Sequence, residues 1–166
     1  MSSGPQPCVA LASSAQAAAA RRLVLTPAQV IYAGDIAFNV DNAMAAPDSD
    51  AMVVLLEATV VGFYRLDYPT APRRRQIVDR HTATLRALAL DVDWQGRGLG
   101  LPMLLACIAD LRQRHPERRL LALNVHAANT VALHVYARAG FVDSGQTLPG
   151  GRGGPQRLLV RALDME

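Results

Sequence analysis

From its first apolar run onward, the chain alternates short hydrophobic stretches with segments of helical period. Cys8-Val9-Ala10-Leu11-Ala12 is long enough for an edge strand and too short for a helix. An alanine-rich segment follows to about Leu23, with Ser13 or Ser14 available as its N-cap. Thr26-Pro27 then opens a second helix, since proline at the first helical position lacks only an N–H that would have no partner. Two helices are thus expected ahead of the main sheet. Asp48-Ser49-Asp50 reads as a turn. Met52 to Glu57 reads as a buried strand, and Thr59 to Leu66 as its antiparallel partner across a tight turn. Residues 69–80, with two prolines and Arg73-Arg74-Arg75, show no period and read as a long loop, either a lid over a site or a simple excursion.

The second half is more regular. His81 to Val92 reads as a strand and runs into a glycine loop. Leu101, Leu104, Leu105, Ile108 and Leu111 then recur at helical spacing, which predicts that this face packs on the sheet. Pro102 falls in the first helical turn, where it is tolerated, and Pro116 stops the helix. Leu120 to Val125 is a continuous apolar run of the kind a covered parallel strand requires, so residues 81–125 form one βαβ unit. Asn129 caps a helix to Arg138, and two further strands, Val142 to Leu148 and Arg157 to Leu163, flank a Gly/Pro-rich hairpin connection. The predicted class is α/β (α+β): one domain from residue 8 to 166 after a loose lead-in at 1–7, with a mixed, twisted sheet of about six or seven strands and helices on both faces.

Composition narrows the function. At 166 residues and 51% hydrophobic, the chain can bury one substantial core. The net charge of +3 comes from arginine alone, because the sequence contains no lysine. A basic balance suits an anionic ligand, although a solvated arginine face accounts for it equally well. Aromatics at 5% and the lack of a basic helix argue against a nucleic-acid partner. Cys8 and Cys107 form neither a disulfide framework nor a metal spacing, and no stretch approaches the roughly 20 apolar residues of a membrane span. The expectation is a cytoplasmic protein with no metal and no membrane partner, and a homodimer is compatible with it.

The glycines at 96, 98 and 100 carry the chemistry. Without Cβ atoms a loop can turn several N–H groups toward one bulky anion, and a helix N-terminus directly behind it adds its own unpaired donors and a favourable dipole. A nucleotide P-loop needs a lysine and is excluded. The dinucleotide fingerprint needs its third glycine one position later. The stretch Trp94-Gln95-Gly96-Arg97-Gly98-Leu99-Gly100 instead resembles the pyrophosphate loop of the GNAT superfamily of N-acetyltransferases, with Gln95, Gly98 and Gly100 at its pattern positions. A second block, Asn129-Thr130 through Tyr136 to Gly140-Phe141, resembles the same superfamily's later signature.

This resemblance implies acetyl transfer from acetyl-CoA to a primary amine of a small molecule or peptide, by direct attack in a ternary complex. Residues Gln95, Gly96, Arg97, Gly98, Leu99 and Gly100 are implied to hold the diphosphate, with Arg97 adding a charge-assisted bond or remaining an exposed arginine. Two strands are implied to splay so that Ala89 and Leu90 offer backbone groups to the pantetheine, the Leu90 N–H facing the carbonyl oxygen. Asn129 reaches the pantetheine or serves only as a cap. Tyr136, two helical turns on, faces the thioester sulfur as the acid. Glu57, His81, Asp91 and His126 stand at strand ends as candidate proton acceptors, and the early helices place Tyr32, Asp35 and Asn39 near the substrate or on plain helix surface. A polyamine acceptor is disfavoured by the scarcity of acids. The alternatives are a coenzyme-binding sensor or assembly module without an acceptor, and a nucleotide-binding α/β domain.

Overall fold

The computed structural model describes residues 4–69, 81–150 and 154–164. Its strands are β1 (Cys8–Leu11), β2 (Ser49–Leu56), β3 (Thr59–Asp67), β4 (Thr82–Leu90), β5 (Leu120–His126), β6 (Val142–Leu148) and β7 (Gln156–Ala162). The helices are α1 (Ser14–Arg21), α2 (Pro27–Ala33), α3 (Ile36–Ala45), α4 (Gly100–Arg114) and α5 (Thr130–Arg138). One seven-stranded sheet runs β1-β2-β3-β4-β5-β7-β6. All its pairings are antiparallel except β4 with β5, the pair joined through α4.

Period-two alternation sorts the two cores. Met52, Tyr64, Leu85 and Leu121 point to the face covered by α4, where Leu104, Ile108 and Leu111 meet them. Ala51, Val53 and Phe63 point the other way, against Ala17, Ala20 and Val40 of α1 and α3. The sheet is thus buried on both sides, which explains why β2 reads as an unbroken apolar run.

Several expectations need correction. Three helices, not two, lie between β1 and β2. Gly34, at φ +82°, ends α2, and the Asp35 carboxylate accepts from the Phe38 N–H at 2.7 Å to start α3 anew. Ser49 and Asp50 belong to β2 rather than to a turn, because Ser49 pairs with Asp67 and Asp50 with Leu66. On α4, Leu105 is 47% exposed, and Met103 and Cys107 take the buried places beside Leu104 and Ile108. The 69–80 loop, the arginine triplet and the centre of the β6–β7 connection lie outside the described residues, apart from Pro69. Among the described residues, no helix is long and apolar enough to cross a membrane.

Charged side chains clamp two edges of this frame. Arg114, in the last turn of α4, donates to Asp110 at 2.8 Å and to Asp50 of β2 at 2.9 Å, while the Tyr68 hydroxyl donates to the same Asp50 oxygen at 2.6 Å. Arg65, only 3% exposed, donates to Asp67 at 3.0 Å and to Ser49 at 3.1 Å. Burial pushes both carboxyls upward, but hydrogen bonds from Tyr68 and Arg114 to Asp50, and from Ser49 and Arg86 to Asp67, hold each below the ordinary aspartate value.

A lowered carboxylate pKa in the folded chain adds stability that is complete above the unfolded value of about 3.9 and is lost as pH falls toward the folded value. Urea midpoints should be level from about pH 5 upward and drop below about pH 4. Asp67→Asn should lower the plateau and flatten the acid decline. An unchanged decline in Asp50→Asn/Asp67→Asn would remove both groups from this role.

Candidate active site

The site begins where two parallel neighbours stop being neighbours. β4 and β5 pair from Thr82↔Leu120 to Leu85↔Leu123 and no further. Beyond that point β5 continues along β7, from Leu123↔Leu159 to His126↔Gln156. β4 stays with β3 but in broken register, passing from Arg65↔Arg86 to Phe63↔Ala89. Ala87 and Leu88 therefore bulge, and Ala87 takes φ +55°, a left-handed conformation rare for a residue with a Cβ. The strands part around a cleft of about 1370 Å³.

Leu90 lies on the wall of this cleft and Ala89 pairs with Phe63. The Leu90 carbonyl accepts from Gln95 Nε2 at 3.0 Å and from Gln29 Nε2 at 3.3 Å, so its peptide edge faces away from β3, toward the parted side. The N–H of a strand residue points the same way as its carbonyl, which leaves the Leu90 N–H on that edge. Both residues line the cleft and pair with β3, Leu90 with Gly62 and Ala89 with Phe63, and by the alternation of a strand the peptide groups of Ala89 face β3. The Gln95 side chain donates to the Leu90 carbonyl and to Gln29 Oε1, bracing the loop from within, and the residue also lines the cleft. Gln29 was not among the expected site residues. Its signal was the Thr26–Gln29 spacing of a capping box, which the structure forms, with the Gln29 N–H donating to Thr26 Oγ1 at 3.2 Å.

At the glycine loop, Gly96 and Gly98 have φ of +73° and +75°, and a Cβ built on either would meet no atom within 4 Å. The backbone thus presents a bare concave edge. The N–H groups of Gly96, Gly98, Leu99 and Gly100 have no acceptor among the described residues, and Leu99 caps α4 without a side-chain bond. A fifteen-residue helix ends there with its positive pole uncovered. Arg97 lies over the Trp94 ring, 4.7 Å from its centroid, which holds the guanidinium beside the loop.

Across the cleft, the Asn129 side chain accepts from the Ala132 N–H at 3.3 Å and so acts as the α5 cap. Tyr136 lines the cleft on the same helix face, its ring packed edge-on against Phe141 at 5.6 Å. Burial raises its phenol above the ordinary tyrosine value, so the group stays protonated through physiological pH. Tyr32, Asp35 and Asn39 all line the cleft, and Asn39 is buried. Of the strand-end candidates, only His126 does so. It is 7% exposed and its ring lies 5.1 Å from that of Tyr32. Asp91 instead accepts from the Val24 N–H at 2.8 Å and the Asp93 N–H at 3.0 Å. Glu57 sits in the β2–β3 turn, and His81 precedes the far end of β4.

The model of the acetyltransferase (GNAT) family matches residues 19–141. The chain belongs to the GNAT family. This GNAT domain is similar in fold to the aminoglycoside acetyltransferase AAC(6')-Ib solved with coenzyme A and kanamycin, at 17% identity and TM-score 0.73, with 94% of each chain covered. It is also similar to the Escherichia coli ribosomal-protein-S18-alanine N-acetyltransferase, at 18% identity and TM-score 0.69, with 96% of each covered. A third is the Vibrio cholerae spermidine N-acetyltransferase with CoA and spermine, at 15% identity and TM-score 0.69, with 95% of this chain and 96% of that one covered. Coenzyme A is bound in that aminoglycoside acetyltransferase, and the unpaired loop of this GNAT domain is shaped for a diphosphate such as it carries.

Valine at position 98 places a branched side chain in left-handed backbone and into the space a phosphate would take. Gly98→Val should abolish the heat of acetyl-CoA binding at millimolar ligand while the folded far-UV spectrum persists. Normal binding would mean that the diphosphate lies elsewhere.

Proposed function

We propose that this GNAT domain acetylates the primary amine of a small molecule by direct attack within a ternary complex, with Tyr136 as the acid. The observation that carries the reading is a protonated phenol in the same parted-strand cleft as a row of unpaired N–H groups. When bound, acetyl-CoA supplies an activated acyl group. The N–H groups of Gly96, Gly98, Leu99 and Gly100 and the Arg97 guanidinium hold the diphosphate. The Leu90 N–H stabilises negative charge on the carbonyl oxygen. As the amine nitrogen bonds to the acyl carbon and the carbon–sulfur bond breaks, Tyr136 gives its proton to the departing sulfur, and the surplus amine proton leaves through water. Asn129 keeps α5, and hence Tyr136, in place.

The solved neighbours with an aminoglycoside or a polyamine bound support a small amine as acceptor. A sensor without an acceptor has no use for a second cavity, and one of about 500 Å³ opens beside the cleft. The cysteine pattern, one exposed and one buried thiol, supports a reducing, cytosolic setting.

Tyr136→Phe keeps the ring and its contact with Phe141 but removes the proton. Turnover should fall roughly 10²-fold with little change in the calorimetric affinity for acetyl-CoA. Undiminished turnover would take Tyr136 out of the chemistry.

A further inference from the structure

The acceptor side has a chemical bias of its own. On the sheet face opposite α4, β3 presents Arg65 and Asp67, β4 presents Thr84 and Arg86, and β5 presents Asn124, flooring the cavity of about 500 Å³. Arg86 and Asn124 line both this cavity and the larger cleft, so the two adjoin there. Arg86 immediately precedes the Ala87 bulge and so stands at the point where the strands part.

The charges on this floor do not cancel. Arg65 is committed to Asp67 and Ser49, with Asn39 at 3.4 Å. Asp67 accepts from Ser49 Oγ at 2.6 Å, from Arg65 at 3.0 Å and from Arg86 Nη1 at 2.7 Å. Two guanidinium groups therefore share one carboxylate, leaving one positive charge over. It belongs to Arg86, whose side chain is 53% exposed and whose other N–H groups meet no acceptor among the described residues. Acids available to the acceptor are few. Among the described residues the larger cleft holds only Asp35, already spent on capping α3, and Asp48 is exposed at the rim of the smaller cavity. A polycation needs several carboxylates to replace its water. Phe38 and Ile31, 63% and 41% exposed, add an apolar wall to the same cleft.

We infer that the acceptor is an amine that also carries a carboxylate, on an apolar body, and that Arg86 determines this specificity by receiving the carboxylate on its free edge. A guanidinium with one N–H occupied still offers two parallel donors to a planar anion, and the single surplus charge matches a carboxylate better than a doubly charged phosphate. The inference rests on the acetyltransferase reading above.

The test is thiol release from acetyl-CoA with leucine, phenylalanine, leucyl-leucine and 6-aminohexanoate, each beside its carboxamide, and with spermidine and kanamycin. At least one acid should exceed its amide by roughly tenfold or more in kcat/KM. Arg86→Gln should bring that ratio to about one, and Arg86→Lys, which keeps the charge beside Asp67 but loses the fork, should leave it between the two and serves if the glutamine variant does not fold. Amides, spermidine or kanamycin outpacing every acid, or a ratio that survives Arg86→Gln, would overturn the inference and leave the acetyltransferase reading standing. Acetyl-CoA binding without thiol release for any acceptor would overturn both.

Discussion

The functional reading depends on one broken pairing. Had β4 and β5 remained hydrogen-bonded beyond Leu85 and Leu123, the sheet would be continuous and its backbone satisfied, with no room at its centre. The break is held open from both sides. β7 keeps Asn124, Val125 and His126 of β5, while β3 keeps Ala89 and Leu90 of β4 after the bulge at Ala87 and Leu88. Each strand satisfies its outer edge, so the inner edges can remain unpaired without unravelling the sheet. The cleft thus follows from strand order, because an antiparallel β7 inserted between β5 and β6 gives β5 a partner that does not need β4.

How much of this was legible beforehand depended on whether the signal was local. The glycine loop, the Asn129 cap with Tyr136 two turns later, and the strand-loop-helix-strand crossover are written in consecutive residues, and each forms as read. The third early helix had a local signal as well, a glycine followed by an aspartate, but an apolar period running through both sides concealed the break. The bulge had none. Arg86-Ala87-Leu88-Ala89 contains no glycine, and the positive φ at Ala87 goes with the register shift against β3 rather than with the residue's own preference. Leu105 failed because helical period marks a stripe without saying how wide its cover is. Met103 and Cys107 extend the buried stripe on one side, and Leu105 is left outside.

The two faces of the sheet divide the work. On the α4 side the packing is apolar and anchors the helix whose N-terminus backs the glycine loop, with Arg114 pinning the far end of that helix to β2. On the opposite side the inner residues of β3 turn from apolar Phe63, level with Ala89 beyond the parting, to charged Arg65 and Asp67, level with Arg86 and Thr84 where β4 and β5 are still close. A buried arginine is costly unless paired, and each nitrogen of the Arg65 guanidinium has a partner, in Asp67, Asn39 and Ser49. Asp67 is thereby saturated, which leaves Arg86 half-exposed with donors to spare.

The amide of Gln29 belongs simultaneously to the start of α2, to the Leu90 carbonyl and to the brace behind the glycine loop. The wall formed by α2 and the loop that faces a phosphate ligand thus lean on the same amide, and any coupling between ligands on the two sides would be reciprocal, each changing the affinity of the other by the same factor.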